Sequence, residues 1–284
     1  MQKLLALIFV LFGIPVFAQE NSTTETIPNI QNITTNWSEC ILPACDPGGN
    51  GVPVSFTQTF NDTVEEKDSE PSMAIAMIAG DASKGTNGLW TYKPLWQSGT
   101  YKLSMNQWVY PDANMLKYGT QLELDQAIFD STLITNDTPY GTEFMFGSQC
   151  NLATGKWQIF NQACAYWGGS SCWVDVTPTL TCSIPSPGWY HIKEEVHRVQ
   201  GDPGNCSYNG YSYPCEYYDS ITINGKTTYP TNTNLPAGPL PEGWDSILLI
   251  QMQINAGPNG TSGNTMTTYY DLINFTYTYD SGSD

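Results

Sequence analysis

Basic residues are scarce in this 284-residue chain: 10 Lys and Arg stand against 27 Asp and Glu, for a formal charge of −17. Such a chain repels polyanions, which excludes nucleic acid as a partner and disfavours an acidic polysaccharide. Long apolar runs are equally scarce. The longest, Leu4 to Phe17, falls short of the roughly 20 residues that span a bilayer. No internal repeat or coiled-coil heptad is present. There is no Cys-x-x-Cys pair, and only His191 and His197 are available, so no zinc ligand set is expected.

What is present begins with an export signal. Lys3, the apolar run and the small residue Ala18 read as a signal peptide over residues 1–18, cleaved after Ala18, with no membrane insertion of the remainder. Residues 19–52 are rich in Asn, Thr, Ser and Pro, and read as a polar leader or linker. Residues 53–284 then form one domain. The eight cysteines all follow the signal segment, and an even count in an exported chain implies disulfides. Cys40/Cys45, Cys164/Cys172 and Cys206/Cys215 are close in sequence, which leaves Cys150/Cys182, but spacing alone does not fix the pairing.

Tyr, Trp, Thr, Asn, Gly and Pro are abundant, which favours short strands and turns over helices. Period-2 alternation recurs along the domain. Leu103, Met105 and Val109 share one face of a strand, with Asn106, Trp108 and Tyr110 on the other. Leu122 and Leu124 oppose Glu123 and Asp125, and Ile250, Met252 and Ile254 oppose Gln251, Gln253 and Asn255. Further strands are expected over 143–150, 156–161, 173–176, 190–199 and 269–279, with an Asn-Gly turn at Asn224-Gly225. The pattern predicts an all-β sandwich of two antiparallel sheets.

Gly188-Trp189-Tyr190-His191-Ile192 followed by the Ile221 to Lys226 hairpin resembles a signature of laminin-G-like and concanavalin A-like jelly rolls. Leu122-Glu123-Leu124-Asp125 resembles a strand of the same superfamily, and Phe144 to Asn161 resembles a group of its exported bacterial members. The likeness covers residues 85–280 and implies a jelly-roll sandwich with a concave sheet face. It is weakly specific for activity, because this fold hosts lectins, hydrolases, lyases and adhesion modules.

In the laminarinase and lichenase branch, one strand carries Glu-x-Asp followed two or three residues later by a second Glu. Here Glu123 and Asp125 match the first half, with Glu123 as nucleophile, but Ala127 and Ile128 stand where the acid/base belongs. Glu195 is the foremost substitute, ahead of Asp130 and Glu143, because it alternates with Lys193 and His197 on one strand face. For a bound sugar, Trp108, Tyr110, Trp157, His197, Gln251, Gln253 and Asn255 are the candidate contacts, aromatic rings for stacking and amides for hydroxyls. No cofactor is expected. Calcium, common in this fold, is the one structural ion considered, at Asp202 to Asn205 or Asp280 to Asp284. Three readings follow: a secreted, lectin-like protein binding a neutral oligo- or polysaccharide; a glycoside hydrolase acting on β-glucan with a rearranged acid/base; and an extracellular structural or adhesion module.

Overall fold

The computed structural model describes residues 22–41, 52–81, 84–169, 172–182, 184–202, 204–257 and 263–281. The signal segment and Cys45 lie outside the described residues, as do the last three residues of the Asp280 to Asp284 loop.

In chain order the strands are β1 (Ser22–Ile27), β2 (Trp37–Ile41), β3 (Ser55–Asp62), β4 (Ser72–Ile78), β5 (Thr86–Tyr92), β6 (Thr100–Pro111), β7 (Gly119–Asp130), β8 (Thr142–Asn151), β9 (Lys156–Phe160) and β10 (Trp173–Asp175). They continue with β11 (Tyr190–Arg198), β12 (Cys206–Tyr208), β13 (Tyr211–Tyr213), β14 (Cys215–Ile223), β15 (Lys226–Thr228), β16 (Leu235–Pro236), β17 (Gly238–Pro239), β18 (Ile247–Ala256) and β19 (Thr265–Asp280). Two short helices, α1 (Ala113–Tyr118) and α2 (Gln162–Tyr166), interrupt them. The side chains of Asp112 and Asn161 cap these helices, each accepting from the backbone N–H three residues on.

The strands form two large antiparallel sheets. The first runs β15-β14-β11-β6-β19-β4-β3, with β1 added to β19 and β16 to β14. The second runs β10-β9-β8-β7-β18-β5-β2, with β17 added to β8. Alternation along each strand sends one set of side chains inward. Leu103, Met105 and Val109 from the first sheet meet Leu122, Leu124, Phe144, Phe146, Ile250 and Met252 from the second in one buried core. Each such side chain contributes about 1.5–3 kcal/mol by leaving water. The all-β sandwich expected from sequence is present, and Asn224-Gly225 turns the β14–β15 hairpin with positive φ at both residues.

Residues 22–41, assigned by sequence to a leader, contribute a strand to each sheet. β1 pairs with β19 and β2 with β5. β1 contributes few apolar side chains to the core. It is held by the backbone ladder and by outer hydroxyl pairs, Thr24–Thr278 at 3.0 Å and Thr26–Thr276 at 2.9 Å. A strand held that way has a polar sequence that reads as linker. Disulfides join Cys150 to Cys182, Cys164 to Cys172 and Cys206 to Cys215. No helix among the described residues is long and apolar enough to cross a membrane.

Candidate functional site

The second sheet carries the site on its outer face. Leu122 and Leu124 of β7 turn into the core, so Glu123 and Asp125 turn out. Registry then places Gln253 and Gln251 of β18 opposite them on one side, and Gln149 and Gly147 of β8 on the other. Gln253 and Asn255 donate to one Glu123 oxygen at 2.9 and 2.8 Å. Gln251 donates to Asp125 Oδ2 at 3.2 Å, and its own carbonyl accepts from the Thr91 hydroxyl at 3.1 Å.

A hollow of about 220 Å3 opens here, lined by Glu123, Asp125, Glu143, Gln162, Trp173 and Gln251, with Met145, Phe160 and Gln253 completing the wall. Trp173 and Phe160 pack with ring centroids 4.8 Å apart. Gly147 is needed at the floor: a Cβ there would lie 2.9 Å from the Phe160 Cβ and 3.0 Å from Asp125 Oδ1. Three carboxyls line this hollow, and among the described residues no Lys, Arg or His does.

That lining sets the protonation. Burial, and then the charge of Asp125, push the Glu123 carboxyl well above its usual range against the bond from Asn255. Burial and the nearby Glu194 raise Asp125 to about 8. Burial raises Glu143 to about 7, opposed by its bond to Gln162. On the core side of the sheet, burial raises Glu194 to about 8 although Ser148 and Gln126 hydrogen-bond to it. Glu216 reaches across from the first sheet to accept the Met145 N–H at 2.6 Å, and burial pushes it well up too.

The structure brings together Glu123, Asp125, Gln251, Gln253 and Asn255, and separates the remaining sequence candidates from them. Glu195 lies on the outer face of the other sheet, because its neighbour Glu194 takes the inward position on β11. It accepts from Lys193 at 3.0 Å and from Ser220 at 2.8 Å. Burial would raise its pKa, but Ser220 and Lys193 outweigh that and hold it low. Glu195 is therefore an ion-paired surface carboxylate, and the acid/base role considered for it has no geometric basis.

Trp108 and Tyr110 face outward from β6 in that same first sheet. Lys67 covers the Trp108 ring at 4.1 Å, and Tyr110 packs edge-on against Trp189 and Tyr269. Trp108 and Tyr110, candidate sugar contacts, thus lie on the opposite face of the sandwich from Glu123, the candidate nucleophile. Trp157 is 1% exposed within the core and cannot contact a ligand. His197 stacks on Tyr217 and bonds to Asp219 at 2.6 Å, while His191 bonds separately to Asn106. Asp130 is occupied by Arg198 at 2.6 Å.

Among the described residues no group of three or more His, Cys, Asp or Glu is arranged to hold a metal ion. Asp202, considered for calcium, spends its oxygens on the N–H groups of Gly204, Asn205 and Cys215. Sequence ranked Glu143 low and did not select Phe160, Gln162 or Trp173 for the cleft. They come from β8, β9, the start of α2 and β10, and only strand pairing converges them.

No protein-family model matches the chain, and no curated protein matches it. Solved structures similar to it include an endo-β-1,4-glucuronan lyase from the fungus Trichoderma reesei. That structure is 9% identical, with a TM-score of 0.44, covering 81% of this chain and 88% of that one. A carbohydrate esterase from the Shiga toxin-encoding bacteriophage phi24B is 10% identical, with a TM-score of 0.46, covering 91% of this chain and 100% of that one. Arcelin-5, a lectin-like defence protein from Phaseolus vulgaris, is 7% identical, with a TM-score of 0.40, covering 91% of this chain and 99% of that one. Likeness at this level assigns no activity.

Proposed function

We propose that the protein is an exported glycan-binding protein of the concanavalin A-like type, and that the outer face of the β7–β8–β18 sheet takes a sugar without negative charge. The observation that carries this reading is the hollow beside Trp173. Amides of Gln162, Gln251 and Gln253, three carboxyls and two aromatic rings meet there. Rings stack on the C–H faces of a sugar, and amides and carboxyls exchange hydrogen bonds with its hydroxyls. An anionic sugar is disfavoured by the three carboxyls and by the net charge of −17. Three disulfides suit an oxidising compartment outside the cytoplasm.

Binding is favoured over hydrolysis by Glu123 itself. A nucleophile must be ionised, and burial, then the charge of Asp125, push the Glu123 carboxyl well above its usual range and so disfavour the ionised form. Ala127, the position closest to the missing acid/base, is fully buried with Phe129, Leu240 and Leu249, so no second Glu fits there. The test is retention on a panel of immobilised polysaccharides and a glycan array. Trp173→Ala is expected to lower retention at least tenfold, and Trp108→Ala, on the opposite face, to leave it unchanged. Loss with Trp108→Ala alone, or no retention on any glycan, rejects this site; sugar release by the wild type would move the reading to hydrolysis.

A further inference from the structure

We propose that the ligand of this cleft bears a cationic group: among sugars without negative charge, the site takes one carrying a free amino group, with the ammonium seated against Asp125. This rests on the glycan-binding reading and narrows it.

The first ground is charge. Glu123, Asp125 and Glu143 line the hollow, and among the described residues no cationic side chain joins them. The second is a vacant acceptor. Asp125 is 3% exposed; Gln251 holds Oδ2, the Ser148 N–H approaches the carboxyl, and Oδ1 has no partner of full hydrogen-bond geometry. Gly147 lets Asp125, Phe160 and Trp173 pack closely around Oδ1, since a side chain there would come within 3.0 Å of that oxygen, so a donor reaches it from the hollow side. A buried carboxyl oxygen left unpaired is costly whether it carries the proton or not, so it calls for a polar partner.

A sugar hydroxyl could supply one hydrogen bond but no charge. An ammonium supplies three N–H donors and a positive charge, and the faces of Trp173 and Phe160 favour a cation further. The surroundings point the same way. Asp125 is faced by Glu123 on its own strand, by Glu194 through the sheet, and by Tyr218 and Tyr270 from the first sheet. Glu216 stands behind Met145 with one oxygen unpaired. The chain's one arginine, Arg198, is buried and committed to Asp130. Nothing in this set neutralises a carboxylate, so an incoming ammonium is what allows one to ionise. On binding, the carboxylic O–H of Asp125 breaks, its proton passes to the buffer, and an ammonium–carboxylate pair remains.

Calorimetry with glucosamine oligomers and N-acetylglucosamine oligomers of equal length and linkage tests this. The measurement is made at pH 6.5 in two buffers of different ionisation enthalpy. The expected result is at least tenfold tighter binding of the glucosamine oligomer, with net proton release. Asp125→Asn should abolish that preference; it mimics the neutral carboxyl in shape, and its fold is checked by thermal unfolding. Glu143→Gln provides a second variant, expected to reduce the preference by a smaller factor. Equal or tighter binding of the acetylated oligomer, absence of proton release, or an unchanged preference in Asp125→Asn overturns the inference. Retention of neutral glucans but not glucosamine would overturn it while leaving the glycan reading intact. No binding of any sugar overturns both.

Discussion

Glu194 sits 1% exposed between the sheets, with Gln126 donating to one oxygen at 3.2 Å and the Ser148 side chain also near its carboxyl. Its carboxyl and that of Asp125 are raised to about 8, and that of Glu143 to about 7, from ordinary values near 4. A carboxyl whose folded pKa lies above its unfolded value makes the folded state bind protons more tightly. Its stabilising contribution is complete below the unfolded pKa and is lost as pH rises through the folded one. Thermal stability of the unliganded protein should therefore fall between pH 5 and 8, by roughly 5 °C or more, as scanning calorimetry would read. Glu194→Gln, which keeps the shape of the protonated acid, should flatten that slope and raise Tm at pH 8 by roughly 2–4 °C. A Tm that climbs with pH over this range contradicts the assignment. Gly147→Ala acts on the same cluster by volume: the methyl group meets Asp125 and Phe160, and glycan retention should drop with little change in far-ultraviolet circular dichroism.

The strands β7, β8 and β18 form the platform, and each reads from sequence because its two faces differ sharply. Leu122-Glu123-Leu124-Asp125 leaves no ambiguity about which side is buried, since a one-residue slip would bury both carboxylates in the core. The neighbouring β9 and β10 are less legible. Trp157 alternates properly but faces inward, and a short strand with an aromatic on either side does not declare its orientation. The Cys150–Cys182 bridge ties β8 to the segment after β10, which walls the cleft with Trp173. Its ends are 32 residues apart, for which loop-closure entropy predicts about 3–4 kcal/mol of stabilisation. The double variant Cys150→Ala/Cys182→Ala should lower chemical stability by about that amount in urea unfolding. A change below about 1 kcal/mol would mean that pairing of β8 with β9 already fixes the segment.

Across the molecule, the two sheets turn opposite faces to solvent, and the sequence candidates are divided between them. Edge protection is a second whole-molecule property. β1 covers one side of β19, and β2 covers β5. A chain beginning at residue 53 would uncover both. It is expected to lose several degrees in Tm and to self-associate in sedimentation, because an uncovered edge offers unpaired backbone groups to another copy. A monomeric, equally stable truncation would show that these strands are dispensable.

Composition and alternation by themselves determined the all-β class, the inward and outward sets on β6, β7 and β18, and a net charge that disfavours polyanions. These follow from local period and net charge, which need no knowledge of which strands meet. The sequence could not say that Trp108 and Glu123 lie on opposite faces, that Glu195 yields the inward position to Glu194, or that Glu143, Gln162 and Trp173 converge on Asp125. Those relations join residues far apart in the chain and depend on strand order and on which sheet each strand enters. Tertiary structure alone decided them, because burying both apolar faces in one core leaves each strand's other face pointing away from the opposite sheet.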